Sequence, residues 1–494
     1  MSAKDLIRIV ILFLPFLLAT SGHAQHRHPL TAKYSAAQLQ KDALVMEQAV
    51  MKIHPVIGIY KSRAYYDSLF RGFRNSLTDS LTEKQFRIKS KQLLEKLHCA
   101  HTDISYSAKY TKALKKTKLN FPRYYLMPVN DTVYVLGGLN KKCDTLLKPG
   151  DIITHLNGIP ADSFYHYGQS LITVDGYIRE SKKLYAQLGY AAYYLNGLNY
   201  PDTITYRYIR KGELQELKVA SIRTLSIPEY NLKSKDDSLF VKYKKARMRY
   251  RYLDEDKKTM QLHIIGFSHR KFTKAYRNIF KQLEKNKTEN LIIDLRYNGG
   301  GSLSNCQHLL SYLLDTMQEQ TALTALKKYP MQRYTRGSLM FKFTKLYFHL
   351  NSKHQFVNDT DRFVMKIKPI KKYHYRKNLL VLINGGSFSA SCVVSAYLKE
   401  TGRAIFIGRE TGGTIEGCNA IITPRYKLPN TKSLVRIPTY RLLHDVYKKP
   451  LNGRGILPEY ETNYRLNDYL KKKDLEMEIA EQLIKSGNAD DMMR

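Results

Sequence analysis

The spacing of hydrophobic positions changes along the chain, and each change marks a different kind of structure. From Ala37 to Ile53 apolar residues recur at helical spacing, with a stop at Pro55. Thr82-Glu-Lys-Gln-Phe86 opens a second such stretch, continued by Phe86, Ile88, Leu93, Leu94 and Leu97. Residues 36–98 are therefore expected to be helical. Beyond 120 the period shortens. Thr132 to Leu136 alternates as a strand does, and Leu147 to Gly158 reads as a turn, a strand and an Asn-Gly turn. Ile204 to Arg210 and Leu217 to Ile222 read as a hairpin around Gly212. This is a small β-rich module. The charged stretch from Lys233 to Lys258 reads as a linker.

From 259 strands and helices alternate. Met260 to Phe267 is strand-like, and Lys274 to Lys285 is helical. Leu291 to Leu295 is apolar apart from Asp294 and Leu379 to Ile383 is an unbroken apolar run, as expected of buried strands. Each leads into glycines, at Gly299 to Gly301 and at Gly385-Gly386, and then into a helix. Ala404 to Ile407 is a further strand. This order predicts an α/β layer fold with a mainly parallel sheet. A basic, Tyr/Phe-rich insertion at 317–376 interrupts it, and Leu466 to Ile484 reads as a terminal helix. No internal repeat is visible.

Composition narrows the picture. The 494 residues call for several domains, and 43% hydrophobic residues exclude a disordered chain. Lys and Arg exceed Asp and Glu by 81 − 43 = 38. The bases are spread along the whole chain and no nucleic-acid module is recognisable, so a basic solvated surface is expected and no nucleic-acid partner. Anionic envelope components remain candidate contacts for such a surface. Five cysteines, at 99, 143, 306, 392 and 418, are too few for a disulfide scaffold and lack zinc spacing. At the start, Lys4 and Arg8 precede an apolar run from Ile9 to Leu18, and Gly22-His23-Ala24 offers a cleavage site. Residues 1–24 read as a secretory signal peptide, which predicts an exported, periplasmic or envelope protein.

Candidate chemistry sits at the glycine-rich turns. In Asn384-Gly-Gly-Ser-Phe-Ser-Ala-Ser391 a serine stands between a buried strand and a helix. Ser389 there can serve as a nucleophile, with helix-start amides to stabilise negative charge, or simply as a helix cap. The turn Arg296-Tyr-Asn-Gly-Gly-Gly-Ser302 allows close backbone approach to a ligand. It lacks the spacing of a phosphate-binding loop. His101, in His98-Cys-Ala-His-Thr102, is a candidate base.

Taken in order, these segments resemble the tail-specific, or carboxy-terminal processing, serine peptidase family in its broad sense. His98 to Ile104 looks like the family's Gly-His-Thr segment, and His54-Pro55 like the His-Pro of exported bacterial members. Leu147 to Ile153 with Asn157-Gly158 looks like its PDZ-type module. Ile293 to Gly301, Ser389 to Ser391, Gly408 to Gly413, Leu428-Pro-Asn with Ile437-Pro-Thr, and Gly455 to Glu459 match its core. The resemblance implies a ClpP/crotonase-like core at 259–465, carrying the 317–376 insertion. Before it would come an N-terminal helical region (30–115), a PDZ-like domain (120–225) and a linker (226–258), and after it a C-terminal helix and tail (466–494). Where Ser/Lys members carry Lys, this chain reads Gly413-Thr414-Ile415. The resemblance therefore implies the tricorn-like branch, with Ser389 as nucleophile and His101 as base. Asn452 stands where that branch often has a Glu. The oxyanion hole would use backbone N–H groups of Gly299, Gly300 and Ala390. Cys392 replaces a Glu common in processing members, and the PDZ-like module lacks a Gly-Leu-Gly-Phe loop.

The implied function is an exported serine endopeptidase acting on protein or peptide substrates through an acyl-enzyme, without cofactor or metal. Two other readings follow from the departures and the charge. One is a binding protein of the envelope that keeps the fold without catalysis. The other is a basic surface protein acting on an anionic envelope polymer.

Overall fold

The computed structural model describes residues 29–139, 145–224, 239–268, 271–326 and 338–487. The signal-peptide segment, Cys143 and residues 226–238 of the expected linker lie outside them. The N-terminal region holds helices α1 (Ala36–Ile53), α2 (Arg63–Asn75) and α3 (Glu83–Glu95), strand β1 (Asp103–Ser105) and helix α4 (Ala108–Lys116). Local sequence starts these helices. Ser35 with Gln38, and Thr82 with Gln85, form reciprocal capping boxes. His54, directly before Pro55, is the C-cap of α1.

A middle unit follows, with its own core of Tyr124, Val135, Leu156, Tyr190, Tyr194 and Tyr206 among others. Its sheet runs in the order β6-β5-β4-β3-β2, where β2 is Tyr124–Val129, β3 Thr132–Gly138, β4 Ile152–Leu156, β5 Thr203–Arg210 and β6 Glu213–Ala220. Helices α5 (Ala161–Ser170), α6 (Glu180–Leu188) and α7 (Tyr190–Gly197) lie between β4 and β5 in the chain. The β-rich expectation for 120–225 missed these helices, because their tyrosines hide the helical period.

The main sheet has seven strands. In chain order these are β7 (Val241–Tyr243), β8 (Met248–Tyr252), β9 (Thr259–Ile264), β10 (Asn290–Asp294), β14 (Asn378–Ile383), β15 (Ile405–Gly408) and β20 (Tyr460–Glu461), and β9 through β20 run parallel. Helices α8 (Phe272–Lys285), α9 (Leu303–Ser311) and α11 (Ala390–Glu400) serve its crossovers. The apolar runs are explained by two covered faces. Leu291, Ile293, Leu379, Val381 and Ile383 enter the large core, whereas Ile292, Leu380, Leu382, Ile405 and Ile407 meet the C-terminal helix.

Three expectations need correction. Residues 241–252 are not linker: β7 and β8 extend the sheet antiparallel to β9, and their alternating Tyr and Lys/Arg positions read as charge before they read as strand. The 317–376 insertion is woven into the core. Its strands β11 (Gln318–Thr324), β12 (Lys353–Val357) and β13 (Thr360–Ile367), with helix α10 (Ser338–Asn351), join β16 (Gly417–Ala420) and β19 (Tyr440–Leu443) in a second sheet. Between these last two, β17 (Arg425–Lys427) and β18 (Leu434–Arg436) pair with β1 and tie the N-terminal region to the core. The terminal helix is two, α12 (Leu466–Lys471) and α13 (Leu475–Lys485), broken at left-handed Lys472 and restarted by the Asp474 cap.

Candidate active site

Ser389 lies between β14 and α11 with φ 57° and ψ −116°, a conformation costly for a residue with a Cβ. It occupies the helix N-cap position, yet its side chain makes no cap hydrogen bond. Its hydroxyl faces His101 instead, with Oγ 3.3 Å from Nε2. The neighbouring serines have structural partners. Ser387 Oγ donates to the Leu295 carbonyl at 2.8 Å, and Ser391 Oγ to the Asn298 carbonyl at 2.7 Å.

Asn298, which sequence inspection did not single out, joins the two glycine-rich turns. Its fully buried side chain donates to the Ile264 carbonyl at 2.7 Å and accepts the Gly300 N–H at 3.0 Å, while its own carbonyl accepts the Phe388 N–H at 3.0 Å. The Asn-before-glycine pattern of such turns was the available signal. Gly300 has φ +94°, and a Cβ there would lie 2.6 Å from Ser389 Cβ and 2.8 Å from Ala390 N. Only glycine allows this contact.

The amides expected to form an oxyanion hole divide accordingly. Gly300 N–H is not free, since Asn298 Oδ1 holds it. In the first turn of α11 the amides of Ser391, Cys392 and Val393 have carbonyl acceptors. Those of Ala390 and Gly299 have none among the described residues. Asn452 is also displaced from its expected role. It is exposed, and its Oδ1 accepts the Arg454 N–H at 2.8 Å. It does not bond His101.

The His101 loop is anchored from the middle unit. Asp175 Oδ1 accepts the Ala100 N–H at 2.8 Å, Gly176 N–H donates to the His98 carbonyl at 3.1 Å, and His98 Nδ1 donates to the Gly176 carbonyl at 2.8 Å. Gly176 has φ +56°, and a Cβ there would meet the Gly453 carbonyl at 2.3 Å. Asp175 is buried, and burial pushes its carboxyl up to about 7. Arg441 opposes that rise, and Glu416 adds to it. Glu416 is buried as well and is likewise raised by burial.

The His101 ring packs against Phe388, with centroids 4.6 Å apart, and its Nδ1 is buried without a partner among the described residues. Burial, and then the charge of Arg436, lower its pKa to about 3. The imidazole is therefore neutral at ordinary pH and able to accept a proton. Arg436 lies close by, with Nη2 donating to the Ala100 carbonyl at 3.4 Å. Cys392 beside Ser389 donates its Sγ hydrogen to the Ser387 carbonyl, and burial pushes its thiol up to about 12, so it is an inert neighbour. Thr414, at the position a dyad lysine would take, is buried and donates to the Gly417 carbonyl. Among the described residues no cluster of His, Cys, Asp and Glu is placed to hold a metal ion. No described helix is long and apolar enough to cross a membrane.

Comparison with solved structures places this architecture among known ones. Mature CPAF complexed with lactacystin aligns with a TM-score of 0.62 and 16% identity, over 93% of this chain and 99% of that one. A second structure of mature CPAF aligns with a TM-score of 0.60 and 16% identity, over 88% of this chain and 94% of that one. These likenesses concern the fold. No curated protein sequence matches significantly. Residues 258–462, which carry Ser389 and the 298–301 turn, match the model of Peptidase family S41. His101 and Asp175 lie before that segment. Over residues 258–462 this chain is similar to peptidase family S41, a family of serine peptidases.

Proposed function

We propose that the protein is an exported serine endopeptidase in which Ser389 attacks the scissile carbonyl and His101 is the general base. The observation that carries this is the 3.3 Å approach of His101 Nε2 to the uncapped Ser389 hydroxyl. His101 takes the hydroxyl proton at Nε2, with its own ring proton on Nδ1. The tetrahedral oxyanion is met by the free amides of Ala390 and Gly299. The imidazolium then protonates the leaving amine, and water resolves the acyl-enzyme by the same route in reverse. The middle unit is read as PDZ-like, and residues 1–24 as a removed signal peptide. Export is tested by N-terminal sequencing of the protein recovered from its cell, which should begin just after Ala24.

One observation favours a non-catalytic binding protein. The His101 Nδ1 has no carboxylate partner among the described residues, so the imidazolium forms uncompensated by them beside Arg436. Digestion of an unfolded protein substrate separates the two readings. Internal cleavage by the wild type and none by Ser389→Ala supports the endopeptidase. Binding of the same substrate by both proteins, with cleavage by neither, establishes the binding protein.

A further inference from the structure

A cleft of about 270 Å³ opens beside the His101 loop, between α3, the helices of the middle unit and β18. Arg87, Lys91 and Arg436 line it with a single carboxylate, Asp103, and the rings of Tyr106 and Tyr193 form part of its wall. Lys91 Nζ pairs with Asp103 at 2.7 Å. Neither of the other two cations forms a salt bridge with an acid among the described residues, and Arg87 only feels the charge of Glu83, which lies outside the cleft. Arg87 donates its Nε to the Ile104 carbonyl at 2.9 Å and lies over the Tyr106 ring at 4.4 Å. Arg436 makes one long bond to the Ala100 carbonyl, and its Nε is buried with no acceptor. Burial lowers the Lys91 pKa first, and the charges of Arg87 and Arg436 lower it further, while Asp103 works against them. Three cations are thus held in a shared cleft with one counter-charge. Such an arrangement is costly unless an anion enters it.

We propose that this cleft is a subsite for an acidic residue of the peptide being cleaved, its carboxylate seated between Arg436 and Arg87. The inference rests on the peptidase reading and names its substrate class. It also bears on the chemistry. Arg436 is the charge that disfavours protonated His101. A carboxylate seated on Arg436 would offset that charge and supply a countercharge that none of the described residues offers to Nδ1. An acidic substrate would thereby favour its own proton transfer.

The test uses full-length Ser389→Ala, which binds without turnover, and octapeptides that differ only by Glu or Gln at each position in turn. Calorimetry should show the Glu peptide binding about tenfold more tightly at one position, an advantage that high salt weakens. Arg436→Gln and Arg87→Gln should each remove that advantage while thermal unfolding stays cooperative. Using both variants keeps the test decisive if one fails to fold. Equal binding of Glu and Gln peptides, or an advantage that survives in the folded variants, overturns the proposal. Inorganic phosphate binding with no Glu preference among the peptides also overturns it, in favour of a free-anion site. Wild-type cleavage of the same peptides is scored separately. Cleavage with no Glu preference in binding sinks the subsite alone, and Glu-selective binding without any cleavage sinks the peptidase reading alone.

Discussion

Asp175 accepts the backbone N–H of Ala100 at 2.8 Å, and so holds the loop that presents His101 from a segment of the middle unit. Asp175 touches neither Ser389 nor His101, which makes it a positioning residue. Asp175→Ala should lower kcat by about 10- to 100-fold with little change in KM, as expected when a base is displaced by a fraction of an ångström to an ångström. Asp175→Asn keeps an acceptor oxygen and should restore most of the rate. Equal loss in both variants would mean that the charge, and not the anchor, matters.

The same residue has a stability signature. The Asp175 pKa is raised to about 7, so this group favours the native state below the ordinary carboxylate range and loses that contribution as pH rises through 7. Asp175→Asn should therefore be more stable than wild type at pH 8, by up to roughly 4 kcal/mol, with the difference vanishing near pH 4. The buried imidazoles of His54, His101 and His444 act in the opposite sense, their pKa values being lowered to about 3, 3 and 4. Their contribution is complete above about pH 6.5 and is lost as pH falls toward those values. With Asp175 neutralised, the unfolding temperature should fall steadily below pH 6.5. Thermal melts of both proteins from pH 8 to 4 measure this.

The three serines of the 387–391 segment should separate cleanly. Ser391→Ala loses a buried 2.7 Å bond and should cost about 1 kcal/mol of stability while retaining an activated Ser389. Ser389→Gly should abolish turnover yet raise stability by about 1 kcal/mol, because glycine relieves the strain at φ 57°. Denaturant melts beside activity assays check both signs.

Gly300→Ala places a methyl group against Ser389 Cβ and the backbone of Phe388 and Ala390. It should reduce kcat by about 100-fold or more, since the nucleophile must shift to make room. Gly299→Ala meets nothing within 4 Å and serves as the matched comparison. A similar loss in both would show that general loop stiffening, rather than the Gly300 contact, is responsible.

The parallel core was legible because strands covered on both faces leave near-continuous apolar runs, at 379–383 and, Asp294 aside, at 291–295. Ser389 was legible because it stands at the exit of one such run. Side-chain direction was not. Asn452 falls at the expected place in the chain, but its carboxamide turns to its own neighbour, the Arg454 amide. Asp175 and Arg436 act across long sequence separations, through Ala100, and nothing local marks them. The strands at 241–252 were hidden because their tyrosines alternate with lysines and arginines, so charge masked the period.

The proposed chemistry requires a Ser389 hydroxyl activated by His101. The most direct measurement is fluorophosphonate labelling of the purified protein, with the modified residue mapped by mass spectrometry. A single adduct is expected on Ser389, absent from Ser389→Ala and from folded His101→Ala. An adduct on Ser387 or Ser391, undiminished labelling of His101→Ala, or no adduct on folded wild type would contradict that chemistry.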